Sequence, residues 1–150
     1  MSEYMDGQYL FDHDVNYLAK GIAGNGKIYG LSASGYESVA AVTVSAGAAV
    51  INNFTITTSY ASLSFTSDAT YPKKAIIYLS SSETVGIVFG TASSIIPAGL
   101  TDRYTRNPVP PNVPSNCIII AEVWIPAAST IGTACTFFNY EPVACHIIYD

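Results

Sequence analysis

The residues best suited to metal binding lie near the start of this chain. Asp12-His13-Asp14 combines an imidazole with two carboxylates, which are ligands for zinc or manganese. Three consecutive side chains at a helix start point in different directions, so they rarely converge on one ion. Asp12 and Asp14 are better placed to cap the free N–H groups of the first helical turn. We therefore predict a helix cap and no metal site.

A nucleophile and a base are adjacent in Cys145-His146. Neighbours on a strand face opposite sides of a sheet, so these two side chains would not meet. Asp102, Glu122 and Glu141 lie singly in separate segments, without the carboxylate pair of a glycosidase. We therefore predict a protein that is not an enzyme and that needs no cofactor.

Two short motifs have structural interpretations as well as functional ones. Gly21-x-x-Gly24-x-Gly26 would follow a helix, whereas phosphate-binding loops lead into one, so a helix stop and a turn are favoured. Asn53-Phe54-Thr55 fits the N-glycosylation pattern, although chance occurrence is the favoured interpretation. Tyrosines suit interfaces and sugar-facing surfaces as well as cores. The candidates for glycan or partner contact are Asn53, Tyr60, Tyr71 and Tyr140.

Strands dominate the elements that would position these residues. Residues 12–22 form the one predicted helix, in which Val15, Leu18 and Ile22 recur at helical spacing. We predict an N-terminal segment over 1–26 and a single all-β domain over 27–150. This domain should be β-sandwich-like, or jelly-roll-like, with about eight to ten strands. The strand candidates are Lys27–Ser34, Val39–Ser45, Ala48–Thr58, a hairpin of Ala75–Leu79 with Val85–Gly90, Cys117–Ile125, Thr133–Tyr140 and Ala144–Tyr149.

A proline-rich arm over residues 95–114 interrupts the strands. Prolines at this density block helix formation and central-strand pairing and favour an extended path. Long irregular segments in compact domains are usually functional or disordered, and we expect this arm to cross onto a neighbouring subunit. The interface candidates from the helix and the arm are Val15, Leu18, Ile22, Tyr104, Pro108, Pro110, Pro111 and Pro114.

The chain is poor in charge, with 49% hydrophobic and 11% charged residues. An average globular protein carries about 25% charged residues. The deficit predicts exposed apolar surface and therefore an obligate oligomer or an assembly subunit. A net charge of -5 with six scattered Lys and Arg residues argues against nucleic-acid binding.

Targeting and redox state are also constrained by the sequence. Glu122 and Pro126 break the longest apolar runs well short of the ~20 residues of a membrane-spanning helix, so no membrane insertion is expected. The acidic start does not resemble a secretory signal, which predicts synthesis and retention in a cytoplasm. Cys117, Cys135 and Cys145 lack zinc-site spacing, and buried thiols are favoured. A disulfide between Cys135 and Cys145 is the alternative.

The order of several short motifs resembles β-rich structural proteins of viral particles. The motifs are Val42-x-Val44-x-x-Gly47, Asp68-Ala69-Thr70-x-Pro72, Val85-Gly86-x-Val88-x-Gly90-Thr91 and Ile120-Ala121-Glu122-Val123. The similar proteins are attachment domains of fiber, baseplate and capsid-appendage proteins of tailed phages and archaeal viruses. Lys73-Lys74 departs from the Arg-Ile or Arg-Val that is common there. We also expect no distal receptor-binding region within these residues, so receptor recognition is not expected of this chain itself. The resemblance implies homo-oligomers, often trimers.

Two hypotheses about function follow. The first is a non-enzymatic subunit of a virion appendage, such as a tail fiber, a baseplate or a capsid decoration. It would assemble as a symmetric homo-oligomer, with a trimer favoured, and would contact other virion proteins. The alternative is a carbohydrate-binding β-sandwich module for adhesion to host-surface glycans, in which exposed tyrosines stack on sugars.

Overall fold

A computed structural model describes residues 25–98 and 105–141. These residues form three antiparallel sheets, which confirms the predicted all-β class. The predicted helix over 12–22 and the predicted strand Ala144–Tyr149 lie outside the described residues. The strands are β1 (Gly26–Gly30), β2 (Ala33–Gly35), β3 (Ala41–Val44), β4 (Gly47–Ile51), β5 (Phe54–Thr58), β6 (Ala61–Ser64), β7 (Lys73–Ser80), β8 (Val85–Phe89), β9 (Cys117–Ile125) and β10 (Thr136–Asn139).

The largest sheet has the strand order β10-β9-β7-β8. Its β7–β8 hairpin confirms the prediction for Ala75 to Phe89. The loop is wider than two residues, as predicted, and the N–H of Ser80 closes it with a 2.9 Å hydrogen bond to the Thr84 carbonyl. The two smaller sheets have the orders β1-β4-β5 and β2-β3-β6. A short 3-10 turn, Gly132–Ala134, precedes β10.

Two predicted strands are each divided in the structure. Ala48–Thr58 was wrong as one strand, because Asn52 and Asn53 adopt φ values of 53° and 68° and turn the chain from β4 into β5. Asparagine tolerates this left-handed region better than most residues, and two such residues in succession are typical of a tight hairpin turn. Lys27–Ser34 divides into β1 and β2 where Gly30 and Leu31 have φ values of 64° and 54°.

One core joins the three sheets. Val42 and Val44 on β3 are buried while Ser45 is exposed, which is the alternation of a strand with one face on the core. On β7 the core side chains are Ala75, Ile77 and Leu79. Strands β4, β5 and β9 supply most of the remaining core residues, namely Ala49, Ile51, Ile56, Ile118, Ile120, Ala121, Val123 and Ile125. Leu31, Ala33, Phe65 and Cys135 also belong to the core.

The central strands β7 and β9 are buried on both faces. Lys74, Ile76, Glu122 and Trp124 alternate with the core residues and are also buried, with Lys74 only 2% exposed. The register shifts opposite Ile77/Tyr78, so that Ile77 pairs with Ala121 while Tyr78 pairs with Ile119. This bulge gives β9 one additional residue, and it allows consecutive residues to contribute to the core.

The proline-rich arm folds back on its own chain. Its described residues contain no strand, as predicted, apart from an isolated bridge between Ile96 and Asn107. The N–H of Arg106 donates to the Ile96 carbonyl at 2.7 Å, and Pro108 is fully buried. This brings the arm against the end of the β7–β8 hairpin, where a cavity forms.

Candidate functional site

The predicted contact residues are spread over the molecule. Asn53 and Tyr60 are exposed at opposite ends of β5, and Tyr71 is exposed ahead of β7. Tyr140 is partly buried beside β1, where its carbonyl accepts a hydrogen bond from Lys27. The structure therefore does not bring these four residues together. Their role in glycan or partner contact stays a prediction.

The predicted interface residues divide in a similar way. Pro108 is buried within its own chain, Pro111 is partly buried, and Pro110 and Pro114 are exposed. Val15, Leu18, Ile22 and Tyr104 lie outside the described residues. The interface role of both groups stays a prediction.

A cavity lies between the end of β8 and the arm, and we call it the proline groove. Its volume is about 490 Å³, which falls within the range of small-ligand sites. It is lined by Phe89, Gly90, Thr91, Ser93, Asn107, Val109, Pro110, Pro111 and Asn112. None of these described lining residues carries a charge.

One wall of the groove continues the β7–β8 pairing beyond the strands. The N–H of Gly90 donates to the Lys74 carbonyl at 2.7 Å, and the N–H of Ser93 donates to the Pro72 carbonyl at 3.1 Å. At the start of this wall, the Lys73 ammonium lies 4.6 Å from the centre of the Phe89 ring, a cation–π distance. These contacts fix the backbone from which Thr91 and Ser93 project.

The other wall is the arm itself, and the buried Lys74 fixes its position. The Lys74 ammonium donates to the Thr105 carbonyl at 3.1 Å, and both residues are buried. A charged donor makes this hydrogen bond stronger than a neutral one. Further along the arm, a Cβ atom added at Gly90 would lie only 2.4 Å from the Val109 carbonyl oxygen. Lys74 and Gly90 therefore set how closely the arm approaches the sheet.

The groove offers unused hydrogen-bonding groups. Its threonine, serine and two asparagine side chains make no hydrogen bond within the part of the chain that the structure describes. Each asparagine amide supplies both donors and an acceptor, and each hydroxyl supplies one donor and an acceptor. Apolar surface from Phe89, Val109 and the prolines lies between them.

A second cavity of about 370 Å³ lies beside β1 and β9. Lys27 is 3% exposed there, and its ammonium donates to the Tyr140 carbonyl at 2.7 Å. Burial lowers the pKa of Lys27, and the Glu141 carboxylate opposes this shift. Cys117 also lines this cavity. Asn25 and Glu141 also line it.

Both described cysteines are free thiols. Cys135 is buried in the core, and burial raises its pKa to about 11. Burial also raises the pKa of Cys117. Raised pKa values keep both thiols protonated near neutral pH, where thiols are poor nucleophiles and poor metal ligands. Cys145 lies outside the described residues.

Within residues 25–98 and 105–141, no three His, Cys, Asp or Glu side chains are close enough to share a metal ion. The same residues contain no helix that could cross a membrane. Comparison of the chain with protein-family models, with curated proteins and with solved structures finds no match.

Sequence reasoning missed the polar residues of the groove. The available signal was local, because Asn107 precedes Pro108 and Asn112 follows Pro111, so both asparagines interrupt the proline-rich run. Thr91 and Ser93 lie directly after β8 and carry no pattern of their own. Only the return of the arm to the end of β8 places the two pairs on one cavity.

Proposed function

We propose that this chain is a non-enzymatic structural subunit that assembles as a symmetric homo-oligomer in a virion appendage. The order of motifs shared with fiber, baseplate and capsid-appendage proteins supports the viral setting. The observation that carries assembly is the uncharged character of the sheet edges.

The described sheets have six edge strands, namely β1, β5, β10, β8, β2 and β6. None of these strands contains proline, and β1 alone contains a charged residue, the buried Lys27. Soluble monomers usually protect sheet edges with charges, prolines, bulges or very short strands, because an open edge can pair with another chain. β5 and β8 are each five residues long and have neither charge nor proline.

Exposed apolar side chains accompany these edges. Phe54, the first residue of β5, is 70% exposed. A side chain of this size at an open edge favours burial against a partner, at roughly 25 cal/mol per Å² before the cost of association. The other large exposed hydrophobic residues are Tyr29, Tyr36, Val39, Tyr60, Tyr71, Val109 and Ile131.

We also propose that the three sheets of the subunit form a β-sandwich. The core drawn from all three sheets is consistent with sheets that face each other as a β-sandwich of the jelly-roll kind. In such a subunit a neighbouring copy can extend a sheet at β5, whereas the Asn139 side chain of β10 already binds both the N–H and the C=O of Ala33 on β2. A trimer is the favoured assembly, and other virion proteins are the expected further partners.

The test is the solution mass of the full chain, measured by light scattering after gel filtration over a tenfold dilution. Assembly predicts a mass that is a multiple of 15.9 kDa and that persists on dilution. A stable soluble monomer at every concentration would contradict the proposal. Immunogold labelling of particles with an antibody against the chain then tests the viral location, which the mass alone does not address.

A further inference from the structure

We propose that the proline groove binds a neutral saccharide. The groove combines a small-ligand volume of about 490 Å³ with apolar surface and convergent polar side chains. This goes beyond the assembly proposal and does not depend on it, because the groove lies within one chain.

The polar groups of the groove match the chemistry of sugar hydroxyls. A hydroxyl both donates and accepts hydrogen bonds, and an asparagine amide can satisfy both roles at once. Asn107 and Asn112 on the arm face the same cavity as Thr91 and Ser93 on the opposite wall. Since these four side chains make no hydrogen bond within the described residues, a ligand need not break an existing one.

Because the described lining residues carry no charge, the groove favours a neutral ligand over a charged one. None of the described lining side chains is cationic, and the nearby Lys73 ammonium already lies over the Phe89 ring, so a phosphate or a carboxylate would find little charge compensation in the groove. Burial of a poorly compensated charge is costly. A purely apolar ligand would leave the asparagine amides without water or partners. A neutral polyhydroxylated ring avoids both costs, because its hydroxyls meet the amides while its C–H face packs against Phe89 and the prolines.

The groove is also held in place before any ligand arrives. Pro110 and Pro111 have fixed φ angles, and Pro108 anchors the arm from the buried side. The bridge to Ile96 and the Lys74 hydrogen bond hold the arm where it meets the sheet. A rigid site loses little conformational entropy on binding, which favours affinity for a small ligand.

Ligand-observed saturation-transfer NMR on the full chain tests this site. The probes are the methyl glycosides of glucose, galactose, mannose and N-acetylglucosamine, with glucuronate as the charged comparison. At least one neutral glycoside should bind, and glucuronate should not. In the ¹⁵N spectrum of the protein, the shifted amides should include Thr91, Ser93 and Asn112.

Two exposed substitutions locate the binding. Asn112→Ala and Thr91→Val should each raise the dissociation constant for the bound glycoside roughly tenfold, as expected when one or two hydrogen bonds are lost. The matched control is Thr130→Val, which makes the same change as Thr91→Val at an exposed position outside the groove and outside the strands. Its dissociation constant should be unchanged.

Several outcomes would overturn the proposal. These are no binding of any neutral glycoside, equal binding of glucuronate, or a loss of binding in Thr130→Val with none in Asn112→Ala. The peptide Pro-Pro-Asn-Val-Pro-Ser, the sequence of residues 110–115, tests whether a second copy's arm occupies the groove instead. Binding of this peptide in the absence of glycoside binding would also refute the saccharide site.

Discussion

Gly90 and Val109 are in backbone contact across the base of the proline groove. A Cβ atom at position 90 would approach the Val109 carbonyl oxygen to 2.4 Å and the Lys74 carbonyl oxygen to 3.1 Å. Both neighbours are backbone atoms, so no side-chain rotation can relieve the overlap. The glycine is therefore a condition for the arm to lie against the sheet.

Gly90→Ala should destabilise the chain and open the groove. Forcing a methyl group into this contact should cost about 1–3 kcal/mol of the free energy of unfolding, the range for overpacked sites. Urea unfolding measures the loss, with Thr91→Ala at the adjacent exposed position as the control. Equal stability of Gly90→Ala and the wild type would show that the arm does not depend on this approach.

Lys74 and Lys73 are adjacent lysines in different environments. The Lys74 ammonium is buried against the Thr105 carbonyl, whereas Lys73 is partly exposed over Phe89. Lys74→Met should lower the free energy of unfolding by about 1.5–3 kcal/mol, the value of a hydrogen bond to a charged group. Lys73→Met should cost less than about 1 kcal/mol.

The same pair can be tested locally by proteolysis. Arg106 is exposed and lies next to the residue that Lys74 holds. Lys74→Met should therefore accelerate tryptic cleavage after Arg106 under native conditions, because the arm opens more often. Lys73→Met is the matched control and should leave that cleavage rate unchanged. Faster cleavage in both variants, or in neither, would refute the anchoring role of Lys74.

The sequence predicted the features that depend on local pattern. The alternation around Val42 and Val44, the hairpin ahead of Gly90 and the lack of strands in the arm all follow from side-chain period or from proline chemistry. The turn at Asn52 and Asn53 was also a local signal, but it lies inside a continuous strand-like run and was missed.

The remaining features depend on contacts distant in sequence. The bulge opposite Tyr78 decides which side chains of β9 enter the core, and only the pairing with β7 creates it. A lysine at the start of a strand carries no sign of burial, yet Lys74 is enclosed because Thr105 returns over it. The proline groove is missed for the same reason, since its two walls are separated along the chain.

Asp68, the first residue of the Asp-Ala-Thr-x-Pro motif, should make a pH-dependent contribution to the stability of the fold. Its carboxylate accepts hydrogen bonds from the N–H groups of Tyr71 and Thr70, at 2.9 and 2.8 Å, and these lower its pKa from the ordinary value of an aspartate. A lowered folded-state pKa gives stability that is fully present above the unfolded pKa. That stability is lost as the pH falls through the folded pKa.

Asp68→Asn should therefore be less stable than the wild type at pH 7, and the difference should shrink as the pH falls below about 4. Thermal unfolding of both proteins between pH 7 and pH 2.5 measures this. Ser67→Ala is an adjacent control that removes a neutral hydrogen bond to the Ser129 carbonyl. The difference between Ser67→Ala and the wild type should not change with pH. A constant difference for Asp68→Asn would contradict the role of the carboxylate.

The two described thiols should differ in accessibility to alkylation. Cys117 is partly exposed on β9, whereas Cys135 is enclosed in the core with a pKa of about 11. Iodoacetamide at pH 8 should label Cys117 in the native protein and label Cys135 only under denaturing conditions. Peptide mapping by mass spectrometry separates the two sites. Native labelling of Cys135 at the rate of Cys117 would show that the core opens readily.

The edge of β5 gives the sharpest test of assembly. Thr57 is the fourth of the five residues of this uncharged edge strand and is exposed, and the strand begins at the highly exposed Phe54. A lysine there should disfavour pairing with a second copy, because natural edges use charge for this purpose. Thr57→Lys should therefore dissociate the oligomer, and light scattering should show a lower mass than for the wild type, most clearly after tenfold dilution. The circular dichroism spectrum should be unchanged, because the fold is retained.

Thr130→Lys is the matched control, because it makes the same change at an exposed position outside the strands. Since both variants add one positive charge, a difference between them reports position and not net charge. Dissociation by Thr57→Lys alone would place the interface at β5. Equal dissociation by both variants would point to general electrostatics, and a wild-type mass in both would exclude the β5 edge from assembly.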